Sequence, residues 1–204
     1  MARKKKQKKS WKQELAEWVK ALISMGLLVL AVTTFAVTPM PVQQSSMNDT
    51  LQDGDVTLVL KTDYTSVWFC WPWAGDAEKE ACPKWTLFGE PSRYDVVITH
   101  YPGRGDTNFV KRVIGLPGDT LWMVDGQLYI NGAAVEEPYV AEAYRHGYID
   151  RFGPVTVPEG QYFLMGDHRN VSNDSRAVGC VPRDYIIGHV RSVLFPFSRF
   201  GKVE

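Results

Sequence analysis

Cysteine is scarce in this chain: three in 204 residues, at positions 70, 82 and 180. That allows at most one intramolecular disulfide and fits an exported protein. Histidine is equally sparse, with four scattered residues. None stands in a Cys/His spacing that resembles a zinc site, so no metal and no cofactor is expected. There is no internal repeat and no long helical period after residue 45. The formal net charge is zero, so no basic domain surface suggests nucleic-acid binding. Charge is missing altogether between Ala21 and Asn48.

That uncharged stretch follows a basic one. Residues 1–20 carry eight of the 23 basic groups and only Glu14 and Glu17 of the acidic ones. The remaining chain holds 15 basic against 21 acidic groups. Ala21 to Val37 is mostly Ala, Leu, Ile, Val, Met and Phe, and with its flanks reaches about 20 residues, enough to span a bilayer. A transmembrane anchor is therefore expected over residues 21–42. The basic tail, residues 1–20, holds its N-terminus on the cytoplasmic side, and residues 43–204 form an extracytoplasmic domain. The other reading of the segment is a cleavable secretory signal, with Thr34-Phe35-Ala36 as the cleavage site. Both readings export the domain.

After the anchor the chain reads as short strands between turn signals, hence mainly β. Strands are expected at Asp55–Lys61, Asp95–His100 and Phe109–Ile114. Thr120–Val124 and Gln127–Ile130 make a hairpin across Asp125-Gly126, a pair that favours the type I′ turn. Val155–Val157 and Gln161–Met165 read as a second hairpin across Pro158-Glu159-Gly160. Tyr185–Phe195 reads as the closing strand.

Residues 64–93 differ. Val67 to Trp73 is densely aromatic and Asp76 to Lys84 is charged. The segment is either a surface insertion over a small aromatic core or a loop that dips into the bilayer interface, where Trp is favoured. Cys70 and Cys82 flank its loop-like centre, and pairing them would close it. Cys180, in Val178-Gly179-Cys180-Val181, reads as a small buried apolar residue.

Candidate chemistry starts from a lysine in an apolar strand. Alternation puts Phe109, Lys111 and Val113 on one face and Val110, Arg112 and Ile114 on the other. A lysine held among apolar side chains loses its charge more readily, and a neutral lysine can take a proton from a serine hydroxyl. From the strand alone, a lysine reaching water from a strand edge is the better reading.

Three motifs reverse that reading. Ser46-Met47-Asn48-Asp49-Thr50-Leu51 resembles the Ser-Met-x-Pro-Thr-Leu of the type I signal peptidases, with Asp49 where proline is expected. Lys111-Arg112-Val113-Ile114-Gly115-Leu116-Pro117-Gly118-Asp119 meets that family's Lys-Arg-x-x-Gly-x-Pro-Gly-Asp in full. Gly166 to Arg176 meets its Gly-Asp-Asn-Arg-x-x-Ser-x-Asp-Ser-Arg, with His168 in place of asparagine. The resemblance covers the anchor and nearly all of residues 40–195. It implies an antiparallel β-sheet catalytic domain behind one N-terminal transmembrane helix, acting as a membrane-anchored serine endopeptidase on the signal peptides of exported preproteins.

By the same resemblance Ser46 is the nucleophile and Lys111 the general base. Ser172 orients the lysine ammonium, and Asp174 and Arg176 form a supporting ion pair. The family usually has a serine two residues before the nucleophile to help hold the oxyanion; here that position is Gln44. Substrate is expected as an added strand between residues 40–44 and residues 108–110, with Met40, Val42, Met47, Phe109 and Val110 as pocket walls. The expected partners are preprotein signal peptides and membrane lipid, not nucleic acid. The contrasting reading is a membrane-tethered β-domain that binds peptides or envelope partners without catalysis.

Overall fold

The computed structural model describes residues 10–42, 45–64, 66–68, 84–86, 89–105, 107–146 and 149–203. It divides into two units, residues 1–36 and residues 37–204.

The first unit is one helix, α1 (Trp11–Phe35). Its start is fixed by Gln13, whose Oε1 accepts from the Ser10 backbone N–H at 3.0 Å, half of a capping box. At about 1.5 Å per residue, 25 residues exceed the roughly 30 Å of a bilayer's hydrocarbon core. The stretch long and apolar enough to cross a membrane is Trp11–Thr33.

The helix does not share the bounds of the expected anchor, residues 21–42. The helix begins ten residues earlier, inside the expected tail, and its last expected residues form a strand, β1 (Val37–Pro41). Pro39 and Pro41 explain the change. Neither can continue a helix, but both are tolerated in a terminal strand.

The second unit is mainly antiparallel β. In chain order its strands are β1, β2 (Val56–Leu60), β3 (Ser66–Trp68), β4 (Lys84–Thr86), β5 (Val96–Thr99), β6 (Phe109–Gly115), β7 (Thr120–Val124), β8 (Gln127–Ile130), β9 (Ala133–Ala134), β10 (Phe152–Thr156), β11 (Gln161–Met165), β12 (Val181–Pro182), β13 (Ile186–Phe195) and β14 (Gly201–Lys202). Short helices α2 (Glu142–Arg145) and α3 (Ser175–Val178) interrupt them. The large sheet runs β1-β2-β13-β5-β6-β11-β12, with β14 also on β13. A four-stranded sheet runs β10-β7-β8-β9, and β3 pairs β4 as a separate ribbon.

The β7–β8 hairpin forms as the sequence predicts, with Asp125 at φ 50° and Gly126 at φ 75°, both left-handed as a type I′ turn requires. The second expected hairpin does not form. β10 pairs β7, whereas β11 pairs β6 and β12. Tyr162 to Met165 are buried at four consecutive positions. Such a strand needs cover on both faces, and two apolar clusters supply it, one around Tyr162 and Leu164 and the other around Phe163 and Met165. Nor is β13 the closing strand, since β14 folds back along it from Ser192 to Val193.

One apolar cluster positions the site. Val42, Met47, Leu51, Val59, Val96, Ile98, Val110, Val190 and Val193 pack together, so the turn after Val42 is pinned to β2, β5, β6 and β13.

Candidate active site

Ser46 lies in a short 3-10 turn, Ser45–Met47. The turn is held from inside by Met47 and Leu51, which have no exposed surface. The Leu51 N–H donates to the Met47 carbonyl at 2.7 Å. Ser46 itself is 7% exposed.

Lys111 sits in the middle of β6, opposite Val97 of β5. It is 1% exposed, so the edge-lysine reading fails: β5 and β11 flank its strand on both sides. Its Nζ is 2.7 Å from Ser46 Oγ and donates to the Val110 carbonyl at 3.0 Å. Burial pushes the lysine down to about 8; the carboxylates of Asp174 and Asp167 pull the other way, and the Arg176 charge adds to the depression. Burial thus brings the neutral form of the amine within reach beside a serine hydroxyl, an arrangement that can activate the hydroxyl as a nucleophile.

Asp174 and Arg176 meet in two hydrogen bonds, Nε to Oδ1 and Nη2 to Oδ2, both 2.9 Å. Burial alone would raise the Asp174 carboxyl. The hydrogen bonds and charge of Arg176, with the Gly166 N–H at 3.1 Å, hold it below its ordinary value. Arg176 also donates to the carbonyls of Ile149 and Arg169, 2.8 Å each, so this pair knits the 166–176 loop together.

Ser172 is placed differently from what the resemblance implies. Among the contacts of Lys111 Nζ, the hydrogen bonds go to Ser46 and Val110. Ser172 Oγ is buried with no hydrogen bond of normal geometry, although it lies near enough to help keep Asp174 ionised. It does abut Gly166. A Cβ at that glycine would collide with Ser172 Oγ and stand 2.5 Å from the Ser46 carbonyl, so the close approach of this loop to the nucleophile requires glycine.

The proposed pocket walls gather in part. Val42, Met47 and Val110 share the apolar cluster, with Met40 packed against it. Phe109 belongs to the neighbouring cluster and packs edge-on against Tyr101 at 5.1 Å. Met47 has no exposed surface and Val42 only 2%. Both serve as core, because the apolar face of the turn must be buried for it to hold its shape. Gln44, Cys70 and Cys82 lie outside the described residues.

Sequence reasoning gave no role to five side chains here. Arg112 and Asp167 form a buried pair, with Nε to Oδ1 at 2.9 Å and Nη2 to Oδ2 at 2.7 Å. Arg169 pairs with Glu137, both buried. His168 donates its backbone N–H to the Ser46 carbonyl at 3.1 Å, and its Nδ1 is 3.0 Å from the Ser45 carbonyl oxygen. A signal existed for Arg112: a charge inside an apolar strand must find a partner. Glu137 stands in no motif and offered none.

The chain is similar to known proteins along most of its length. The profile of the family described as "Signal peptidase, peptidase S26" matches residues 15–195. Signal peptidase I of Bacillus licheniformis is 38% identical over 200 residues, covering 95% of each chain. Signal peptidase I T of Bacillus subtilis is 38% identical, covering 92% of this chain and 89% of its own. Signal peptidase IB of Staphylococcus aureus is 32% identical, covering 93% of this chain and 94% of its own. The crystal structure of a signal peptidase I from Enterococcus faecalis V583 is 36% identical, covers 50% of this chain and 97% of its own, and superposes with a TM-score of 0.44. With a profile match across most of its length and relatives this similar end to end, the chain belongs to the signal peptidase family, peptidase S26.

Proposed function

We propose that this protein is a membrane-anchored serine endopeptidase that removes signal peptides from exported preproteins with a Ser46/Lys111 dyad. The observation that carries this reading is the buried 2.7 Å contact between Lys111 Nζ and Ser46 Oγ. Lys111, neutral, takes the hydroxyl proton as Oγ attacks the scissile carbonyl. It returns that proton to the leaving amine, and water then releases the acyl group by the same route. Ser46 N–H supports the developing oxyanion, with Gln44 as a second donor. Asp174 and Arg176 fix the loop that packs behind the dyad, and Ser172 fills the space beside it.

The preprotein binds as a strand beside β1 and the start of β6, where Met40, Phe109 and Val110 offer apolar contact and small residues before the cut fit best. Trp11–Thr33 spans the membrane; the lysine-rich tail stays in the cytoplasm and the β-domain acts outside.

The test is incubation of the purified protein with a preprotein carrying an Ala-x-Ala site, followed by mapping of the new N-terminus. Ser46→Ala and Lys111→Ala should each abolish cleavage while the thermal transition stays in place. Turnover by Ser46→Ala would remove the nucleophile assignment.

A further inference from the structure

The peptide bond that joins Ser45 to Ser46 carries both a carbonyl oxygen and the N–H that faces the reacting carbonyl in the reading above. Among the described residues, the Ser46 N–H makes no backbone hydrogen bond, as first-turn N–H groups commonly do not. Its other end is held. His168 Nδ1 lies 3.0 Å from the Ser45 oxygen. A carbonyl oxygen only accepts, so Nδ1 must be the protonated nitrogen. The same residue's backbone N–H donates to the Ser46 oxygen at 3.1 Å. One residue thus holds the peptide on each side of the nucleophile. The imidazole is itself fixed by Tyr144 of α2, with ring centroids 3.8 Å apart.

We infer that His168 is a positioning residue: its Nδ1–H orients and polarises the Ser45–Ser46 peptide so that the Ser46 N–H serves the oxyanion. Donation into a carbonyl draws electron density from the peptide nitrogen, so the N–H at the far end becomes a stronger donor. The ring also keeps the turn from rotating that N–H away, and preorganised donors are what this kind of stabilisation depends on. The asparagine of the resembled motif also carries a side-chain N–H, so the replacement here exchanges one possible donor for another.

The inference rests on the Ser46/Lys111 reading, and the experiment separates the two. His168→Phe keeps a ring against Tyr144 and removes the donor; His168→Asn restores a short donor. Turnover and KM are measured on the Ala-x-Ala preprotein. Affinity is measured for a substrate-like peptide aldehyde, which adds the Ser46 hydroxyl across its carbonyl and places an oxygen where the oxyanion forms. The expected result for His168→Phe is a kcat loss of about tenfold to a hundredfold, smaller than the roughly 10²–10³-fold cost of deleting an oxyanion donor, with KM unchanged. Aldehyde affinity should fall by a similar factor, and His168→Asn should recover both. Unchanged kcat in His168→Phe, a change in KM alone, or failure of His168→Asn to recover turnover overturns the inference. If His168→Phe loses its thermal transition, the Asn variant decides alone, and a tenfold kcat loss in it is fatal. Ser46→Ala run in parallel must be inactive; if it turns over, the dyad reading falls as well.

Discussion

Arg112 and Asp167 grip each other through two hydrogen bonds, and each side chain is only 1% exposed. Asp167 Oδ2 also accepts from Thr50 Oγ1 at 2.5 Å, and the guanidinium lies over the Tyr139 ring, 4.2 Å from its centroid. One ion pair therefore ties β6, the loop after the nucleophile and the 166–176 loop together. Removing one partner leaves the other charge buried and unpaired, which costs about 3–5 kcal/mol. Arg112→Met and Asp167→Leu should each lower the thermal midpoint sharply. The double variant should recover part of the loss, since it strands no charge. A double variant that falls by the sum of the two singles would show that the pair is not the shared cause.

Lys111 predicts the pH dependence. Burial holds it at about 8, and only the neutral amine accepts the serine proton. At pH 7 about a tenth of the molecules would carry the neutral base. Cleavage should rise with pH through about 8 and then level off. The Asp174 carboxylate raises the lysine, so Asp174→Asn should move the midpoint to lower pH whatever it does to the maximum rate. Both effects are read from kcat/KM between pH 6 and 10. A midpoint that stays put in Asp174→Asn would deny the electrostatic link.

The residues that carry the fold were legible where the signal is local. Asp125-Gly126 named its turn, and the apolar run at 109–115 named its strand. The pairing of β10 and β11 was not legible, because Pro158-Glu159-Gly160 looks like a hairpin turn while the partners are chosen by long-range register. The anchor was legible as a composition, but its end was set by Pro39 and Pro41, which read equally well as a helix flank. Ser46 and Lys111 lie 65 positions apart; periodicity never joins such residues, and the motif resemblance did. The seal around Lys111 and the carbonyl grip of His168 depend on tertiary packing and left no mark in the motifs.

Asp49 yields a prediction opposite to what motif matching suggests. It takes the place of the proline in the resembled motif, and its φ is 79°. Proline is locked near −65° and cannot adopt that backbone. Asp49→Pro, which restores the motif, should therefore destabilise the 47–51 turn and reduce cleavage. Asp49→Gly, free of the left-handed penalty, should leave the thermal midpoint unchanged or slightly higher. Thermal unfolding and cleavage of the two variants side by side check this, and a fully active, stable Asp49→Pro would contradict the assigned backbone.

The ribbon of β3 and β4 bears on the cysteines. Its register pairs Ser66 with Thr86, Val67 with Trp85 and Trp68 with Lys84. Cys70 and Cys82 follow and precede these strands in the chain, and the sequence reading pairs them across the segment that they flank. Cys180 is half-buried and unpaired, with burial raising its thiol. The exported protein should therefore show one free thiol. Alkylation without reductant, followed by intact-mass measurement, should add one label, and alkylation after reduction should add three. Three labels before reduction would refute the pairing.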